Sequence, residues 1–206
     1  MTLTDSRFYL ASRSPRRREL LKQIGASFEL LLLREDLKRG PDVDETPQAG
    51  EAALVYVERV ARQKAETGWR QVVSRGLPPY PVLAADTTVV VDGEIFGKPR
   101  DTTQAMEMLG RLSGRGHQVA SAVAVARRER TEVRVSVSDV TFRVLAPVEL
   151  RRYAASGEPL GKAGAYAIQG RAAAFITTIA GSYSGIVGLP LHETAELLAR
   201  FDIAIL

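Results

Sequence analysis

The apolar run of residues 82–93, with Asp86 near its middle, constrains the fold of this chain more than any other stretch. Its sequence, Val-Leu-Ala-Ala-Asp-Thr-Thr-Val-Val-Val-Asp-Gly, predicts a buried strand interrupted at Asp86-Thr87 and a second strand that ends in an Asp-Gly turn. A carboxylate in such a run must be solvated in a cleft, paired with a cation or bound to a metal, because burying it alone is costly. A structural Asp that caps a turn is the alternative. We favour a functional Asp86, because the residues on both sides of it are apolar.

The first 25 residues predict a strand, a tight loop and a helix. After the apolar residues 8–10, Ser14 is placed to cap the helix and Pro15 to begin it, and Gly25 is placed to end it. Arginines at 16–18 lie beside the positive end of the helix dipole, where each is unfavourable by roughly 0.3–1 kcal/mol. Guanidinium groups together with free backbone N–H groups make an anion site, most naturally for phosphate. A solvated basic turn is the alternative.

The remaining hydrophobic patterns predict strands and helices along the rest of the chain. A polar loop is expected over 34–50, a helix is expected to end at Gly68, and a bulge is expected near Ser138-Asp139, where apolar residues change parity. A glycine-rich loop at 156–170 could bring its backbone close to a ligand, or its glycines could be needed only for backbone geometry. A turn-rich loop is expected over 182–188. Further strands are predicted at 28–33, 119–126, 131–145 and 173–179, and helices at 51–67, 101–112, 147–155 and 191–200.

Composition narrows the class of protein. A chain of 206 residues can form one large domain or two small lobes around a cleft. Without cysteine it has no disulfide, thiol nucleophile or cysteine-bound zinc, which is compatible with a reducing cytoplasm. No apolar run approaches the roughly 20 residues that span a bilayer, and the start of the chain lacks a signal-peptide pattern, so we expect a cytoplasmic protein without membrane contact.

The charge balance favours an anionic ligand. Net charge is +4 and the sequence pI is about 9.6, which suits nucleic acid or a small phosphate compound. Arginines are interleaved with acidic residues instead of forming a basic block, which argues against extended nucleic-acid binding.

Several site types lack support. His117 and His192 have no histidine or cysteine partner for a zinc site or a serine triad, and no Walker phosphate loop or dinucleotide fingerprint occurs. What remains is a surplus of cations and isolated carboxylates, which suits metal-assisted attack of water on a polyphosphate. Taken singly, each has a plainer interpretation as a surface or snorkelling charge. The cations are Arg16, Arg17, Lys64, Lys98 and Lys162, and the carboxylates are Asp44, Glu45 and Asp86.

A series of short motifs along nearly the whole chain resembles the Maf family. The series begins with Leu-Ala-Ser-x-Ser-Pro-Arg-Arg-x-Glu-Leu-Leu at 10–21 and occurs in family order. The other motifs are Ala-Asp-Thr at 85–87, Gly-Lys-Pro at 97–99, Leu-Ser-Gly at 112–114 with His117, Lys-Ala-Gly-Ala-Tyr-Ala-Ile-Gln-Gly at 162–170 and Gly-Leu-Pro-Leu at 188–191.

The resemblance implies both a fold and an activity. Maf proteins are nucleoside triphosphate pyrophosphatases, which split the bond between the α- and β-phosphates to give the monophosphate and pyrophosphate. The implied fold is a single two-lobed α/β domain over residues 1–206, similar to inosine triphosphatase, with a mixed twisted sheet flanked by helices and a central cleft. A role in cleaning the nucleotide pool would follow.

The resemblance also implies roles for individual residues. Asp86 becomes the proton acceptor, and Arg16, Thr87 and Gln169 fall at specificity positions. Gln169 resembles the branch that acts on dTTP and UTP, and its amide can both donate to and accept from the pairing edge of a pyrimidine. A divalent cation, Mg²⁺ or else Mn²⁺, would bind Asp86 and an acid of the pair Asp44-Glu45. The remaining implied contacts to substrate are Ser14, Arg17, Lys64, Lys98 and Lys162.

Two other functions stay open at the level of sequence. One is a nucleotide-binding or nucleic-acid-binding protein without catalysis, linked to septum formation, which would explain the arginines but not Asp86 among apolar strands. The other is a pyrophosphatase directed at purines, similar to inosine triphosphatase. A nucleoside triphosphate is the expected partner and a homodimer the expected assembly.

Overall fold

The computed structural model describes residues 7–34 and 40–205. The predictions for the extreme N-terminus and for the middle of the 34–50 loop lie largely outside these residues. The strands are β1 Phe8–Leu10, β2 Phe28–Leu30, β3 Val82–Val91, β4 Glu94–Phe96, β5 Gly116–Arg127, β6 Arg130–Phe142 and β7 Ile176–Ala180. The helices are α1 Pro15–Gln23, α2 Ala53–Ser74, α3 Thr102–Leu112, α4 Pro147–Ala155, α5 Tyr183–Val187 and α6 Leu191–Arg200.

One mixed sheet organises the described part of the chain. Its strand order is β2-β1-β3-β5-β6-β7, and β4 pairs with the far end of β3. Strand β1 is parallel to β2 and β3, whereas β3, β5, β6 and β7 pair with one another in antiparallel order. Helices cover both faces, so the prediction of an α/β fold with a mixed sheet is confirmed. None of the helices in the described ranges has the length and apolar character needed to cross a bilayer.

Strand β3 is continuous, and the predicted interruption at Asp86-Thr87 is wrong. The strand pairs with β5 without a break from Val82, opposite Ala126, to Val90, opposite Gln118. A polar pair can stay within the strand because successive side chains point to opposite faces and each finds its own partners there. Asp86 meets Lys64 on one face, and Thr87 meets Ser121 on the other.

The two faces of the sheet belong to two hydrophobic cores. On one face α2 lies against the small side chains of β5, which are alanines at 120, 122, 124 and 126. On the other face the larger Val119, Val123 and Val125 pack among residues of α1, α3 and α6. Alanines at every second position let the long helix lie close to the strand, and they alternate with valine except at Ser121.

The same division explains why no bulge forms near Ser138-Asp139. Strands β5 and β6 pair in register from Gly116, opposite Thr141, to Arg127, opposite Arg130. The apolar parity changes because Val133 and Val135 pack against the α2 core, whereas Val140 and Phe142 belong to the other core. The one register shift in β6 lies between Thr141 and Phe142, in its pairing with β7.

Helix α2 does not end at Gly68 as predicted. It continues to Ser74, and Gly68 lies where the helix passes closest to the sheet. A Cβ at this position would lie 2.7 Å from Cγ1 of Val82. The glycine therefore allows close packing instead of ending the helix.

Three other boundaries also differ from prediction. The strand expected over 28–33 ends at Leu30, and the strand expected from 173 begins at Ile176, after a 3-10 segment at Arg171–Phe175. The loop expected over 182–188 contains α5, which Ser182 caps by accepting a hydrogen bond from the Gly185 N–H at 3.0 Å. A short capped helix with two glycines around it carries no apolar periodicity that a sequence pattern could detect.

Candidate active site

The N-terminus of α1 forms one wall of a cleft. Ser14 caps the helix, its Oγ accepting from the Arg17 N–H at 3.5 Å, and Pro15 is the first helical residue, as predicted. Gly25 follows the helix with φ of +71°, also as predicted. Ser12 and Ser14 both line the cleft, so the loop after β1 faces its interior.

The guanidinium group of Arg17 is bound within the protein. Its Nε donates to the Gly188 carbonyl at 2.8 Å and its Nη1 donates to the Ala85 carbonyl at 2.8 Å. Longer bonds lead to Ser12 Oγ at 3.3 Å and Thr87 Oγ1 at 3.4 Å. Four of the five N–H groups of an arginine are thereby used. Burial lowers the pKa of Arg17, and the negative charges of Asp86 and Glu45 counteract that effect. Arg17 therefore ties α1 to β3 and to the turn at Gly188.

Thr87 belongs to a chain of hydroxyl groups on the same face. Its Oγ1 lies 2.8 Å from Oγ of Ser121, and Ser121 donates to the Gly185 carbonyl at 2.7 Å. Ser121 is fully buried on β5 and contacts both Thr87 and the middle of α5. The sequence analysis missed Ser121, and only its polarity within an alanine-valine strand could have identified it.

Lys64 joins two carboxylates on the opposite face of β3. Its Nζ lies 2.8 Å from Oδ1 of Asp86 and 2.9 Å from Oε1 of Glu45. The side chains of Lys64 and Asp86 are 13% and 9% exposed, whereas that of Glu45 is 35% exposed. The buried Asp86 carboxylate thus has a cation at hydrogen-bond distance, which offsets the cost of burying its charge.

Glu45, and not Asp44, faces the cleft. Burial raises the pKa of Glu45, but the positive charges of Lys64, Lys98 and Arg17 outweigh that effect and lower it. Asp44 is exposed and its Oδ1 accepts from the Thr46 N–H at 2.9 Å, which makes a local turn. Of the two acids predicted as alternatives, the structure brings only Glu45 to Lys64 and Asp86.

The three remaining cations predicted from the sequence also line the cleft, which has a volume of about 730 Å³. They are Arg16, Lys98 and Lys162. Neither Arg16 nor Lys98 makes a hydrogen bond or ion pair with the residues that the structure describes. Burial lowers the pKa of Arg16 and of Lys162, and for Lys162 the nearby charge of Arg16 adds to the effect. An anion between these groups would relieve their repulsion, so the cleft is electrostatically prepared for phosphate.

The predicted glycine-rich loop closes the cleft from the side of Lys98. The Gly164 N–H donates to the Gly97 carbonyl at 3.1 Å, so the loop is joined to the Lys98 turn. Tyr166 lines the cleft, and its hydroxyl lies 2.8 Å from Nε2 of buried His117. This hydrogen bond gives His117 a structural role, which its sequence motif did not predict. Gln169 lies near the end of the loop with its side chain exposed, and it is not among the residues that line the cleft.

The cleft has oxygen ligands that suit a hard divalent cation. Mg²⁺ is commonly held by one or two carboxylates together with phosphate oxygens and water, and Mn²⁺ accepts the same ligands. Glu45 and Asp86 are two such carboxylates on one side of the cleft. Within residues 7–34 and 40–205, no three His, Cys, Asp or Glu side chains converge into a metal site. The residues therefore fit a cation that the phosphates of a substrate help to bind.

A mixed α/β sheet with a cationic cleft and a buried, ion-paired aspartate defines a protein that binds, and can hydrolyse, a phosphate compound. The comparison with protein families gives the particular family. The model described as "Maf-like protein" matches residues 7–201. The chain belongs to the Maf family, which confirms the resemblance found in the sequence motifs.

Individual relatives are similar over nearly their whole length. The dTTP/UTP pyrophosphatase of Nitrosomonas europaea is 57% identical over 197 residues, covering 96% of this chain and 95% of the relative. The dTTP/UTP pyrophosphatase of Nitrosospira multiformis is 57% identical over 205 residues, covering 100% and 99%. Among solved structures, the Ham1 protein of Staphylococcus aureus matches with a TM-score of 0.46 and 18% identity, over 66% of this chain and 71% of that one.

Proposed function

We propose that this chain is a nucleoside triphosphate pyrophosphatase that hydrolyses dTTP and UTP to the monophosphate and pyrophosphate. The observation that carries the proposal is the position of Asp86, held in mid-strand by Lys64 at 2.8 Å in a cleft lined by further cations. Family membership and relatives of this name at 57% identity support the same activity. A cytoplasmic role in clearing the nucleotide pool, including modified pyrimidine nucleotides, would follow.

The reaction needs a water molecule, a proton acceptor and neutralisation of the leaving group. Among the described residues, the Asp86 carboxylate forms a hydrogen bond only with Lys64, through Oδ1, so we assign it the proton of the attacking water. We assign three cations to the triphosphate: the exposed Lys98 and the partly buried Arg16 and Lys162. Negative charge builds up on the pyrophosphate as it leaves, and these cations would neutralise it. Ser14 adds a hydroxyl at the helix N-terminus. Arg17, with four N–H groups already bound, is assigned to keeping this wall in place and to supplying charge.

Glu45 and Asp86 would hold the divalent cation, Mg²⁺ in the first instance and Mn²⁺ as the alternative. When bound, such a cation neutralises phosphate charge and helps to orient the substrate. Lys64 forms an ion pair with each of the two carboxylates and would hold both in position in the cleft.

Base selection is assigned to Thr87, Arg16 and Gln169. Thr87 and Arg16 line the cleft. Gln169 is exposed and follows Ile168, which lines the cleft, and we assign its amide to the edge of a base bound on that side. A glutamine amide offers one donor and one acceptor to the carbonyl and N3–H of a uracil or thymine ring.

Release of pyrophosphate from a panel of nucleotides tests the proposal. The panel contains dTTP, UTP, CTP, ITP and 7-methyl-GTP, each with Mg²⁺ and with a chelator in its place. We expect turnover of dTTP and UTP that requires the metal, with CTP, ITP and 7-methyl-GTP at least tenfold slower in kcat/KM. Silence across the panel would contradict the proposal and favour a nucleotide-binding protein without catalysis. A preference for ITP would indicate a purine-directed enzyme.

A further inference from the structure

The segment that carries Glu45 is tied to helix α2 through three successive backbone carbonyls. The Tyr56 hydroxyl donates to the carbonyl of Glu45 at 3.0 Å. On either side, Arg59 donates from Nη1 to the Asp44 carbonyl at 3.4 Å and from Nη2 to the Thr46 carbonyl at 3.1 Å. Tyr56 and Arg59 are one helical turn apart, so one face of α2 holds the whole segment.

Arg59 is itself held in place by a two-point ion pair. Its Nε lies 2.6 Å from Oε1 of Glu51, and its Nη2 lies 2.8 Å from Oε2 of the same carboxylate. Glu51 also accepts from the Gln48 N–H at 3.0 Å. The guanidinium lies over the ring of Tyr56, 5.6 Å from the ring centroid. A bidentate ion pair of this kind fixes the orientation of a guanidinium group as well as its position.

These contacts decide which way the side chain of Glu45 points. With three consecutive carbonyls turned towards α2, the backbone of the segment cannot rotate freely, and the Glu45 carboxylate reaches Lys64 at 2.9 Å. Lys64 belongs to the same helix, so α2 supplies both the cation and the two residues that hold its partner in place.

We propose that Arg59, assisted by Tyr56, is a positioning residue that holds the Glu45 carboxylate in the cleft. The catalytic part of this inference rests on the proposed function, whereas the structural part does not. Arg59 is not among the residues that line the cleft, so it would act through Glu45. Its effect on turnover therefore exists only while Glu45 is able to act.

Hydrogen exchange measured by mass spectrometry tests the structural part without any substrate. In Arg59→Met we expect the backbone amides of residues 41–51 to exchange about tenfold faster or more, because the segment has lost its anchor. Arg62→Met is the matched control: it lies one turn further along α2, and its guanidinium contacts Glu58 at 3.0 Å on the protein surface. Unchanged exchange in Arg59→Met, or equal acceleration in both variants, would overturn the inference.

A double-mutant cycle tests the catalytic part. We expect Arg59→Met and Glu45→Gln each to lower kcat/KM for UTP by about 10–100-fold, and the double variant to be no slower than Glu45→Gln alone. Tyr56→Phe removes one bond and keeps the packing, so a smaller loss is expected there, again absent in the Glu45→Gln background. If the fold-losses in kcat/KM of the two single variants multiplied in the double variant, Arg59 would act independently of Glu45, and the inference would be overturned. If the wild-type protein released no pyrophosphate from any nucleotide, the proposed function would fail while the exchange experiment would still decide the structural part.

Discussion

Replacing Lys64 by methionine removes the cation that Asp86 and Glu45 share. The resulting loss in the free energy of unfolding can be worked out from the exposure of the two carboxylates. Removing one partner of a buried ion pair costs about 3–5 kcal/mol, because the other charge stays buried without compensation. The Asp86 side chain is 9% exposed and meets that description, whereas Glu45 at 35% is screened by solvent and adds little. We therefore expect Lys64→Met to lower the free energy of unfolding by about 3 kcal/mol at pH 7.

The pH dependence of this loss follows from Glu45. Lys64 lowers the pKa of the Glu45 carboxyl below its ordinary value, so the pair adds stability above the unfolded pKa of about 4.3 and loses it as pH falls. Without Lys64 that contribution is absent at every pH. The small part of the loss that comes from Glu45 should therefore be present from pH 7 down to about 4.3 and disappear as the pH falls below that value.

Urea unfolding at pH 7 measures the loss of stability. Lys98→Met is the matched control, because Lys98 lies in the same cleft but is exposed, and its replacement should change stability by less than about 0.5 kcal/mol. The reasoning is refuted if Lys64→Met loses no more than this control at pH 7.

Two further predictions concern the walls of the cleft. Gly164→Ala places a Cβ 2.6 Å from the side chain of Val89 at φ of +65°, and should cost about 1–3 kcal/mol in urea unfolding, whereas Gly97→Ala has open space and should cost less than 1 kcal/mol. Burial lowers the pKa of His117 to about 4, so the unfolded chain binds more protons below pH 6.5. Wild-type stability should fall by about 1–2 kcal/mol from pH 7 to pH 5, and His117→Gln should remove that dependence while the exposed His192→Gln keeps it. Equal slopes in the two histidine variants would contradict the assignment.

The sequence predicts well those features whose causes are local. Ser14, Pro15 and Gly25 cap and bound α1 through contacts within a few residues, and the structure confirms all three. Phosphate-seeking arginines at that helix start could be recognised because they oppose the helix dipole nearby. The Maf motifs are equally local strings, and the family match confirms what they indicated.

Features that depend on distant partners could not be predicted in the same way. Asp86 was identified because a carboxylate is out of place in an apolar strand, but its partner Lys64 lies on a different element, 22 positions away. The predicted break in the strand was wrong because hydrophobic periodicity does not reveal that Asp86 and Thr87 each have a polar partner, one on each face of the sheet. The predicted bulge in β6 was wrong for a related reason. The first part of this strand packs against the core that contains α2, and its last part packs against the core on the opposite face of the sheet.

Arg17 shows how the partners of a residue change its assigned role. The sequence places it beside Arg16 as an equal phosphate ligand. In the structure, the carbonyls of Ala85 and Gly188 take its guanidinium, while Arg16 makes no hydrogen bond to a described residue. Every residue has a backbone carbonyl, so no sequence pattern predicts which arginine will bind one. The difference between Arg16 and Arg17 is therefore visible only in the structure.

Pyrophosphate release by Asp86→Asn tests the central claim most directly, with Mg²⁺ present and UTP and dTTP as substrates. The variant keeps the volume of the side chain and removes its capacity to accept a proton from water. We predict a fall in kcat by at least about 10²-fold at unchanged fold, monitored by circular dichroism and thermal unfolding. Turnover by Asp86→Asn at the wild-type rate would contradict the claim that Asp86 is the proton acceptor of this cleft.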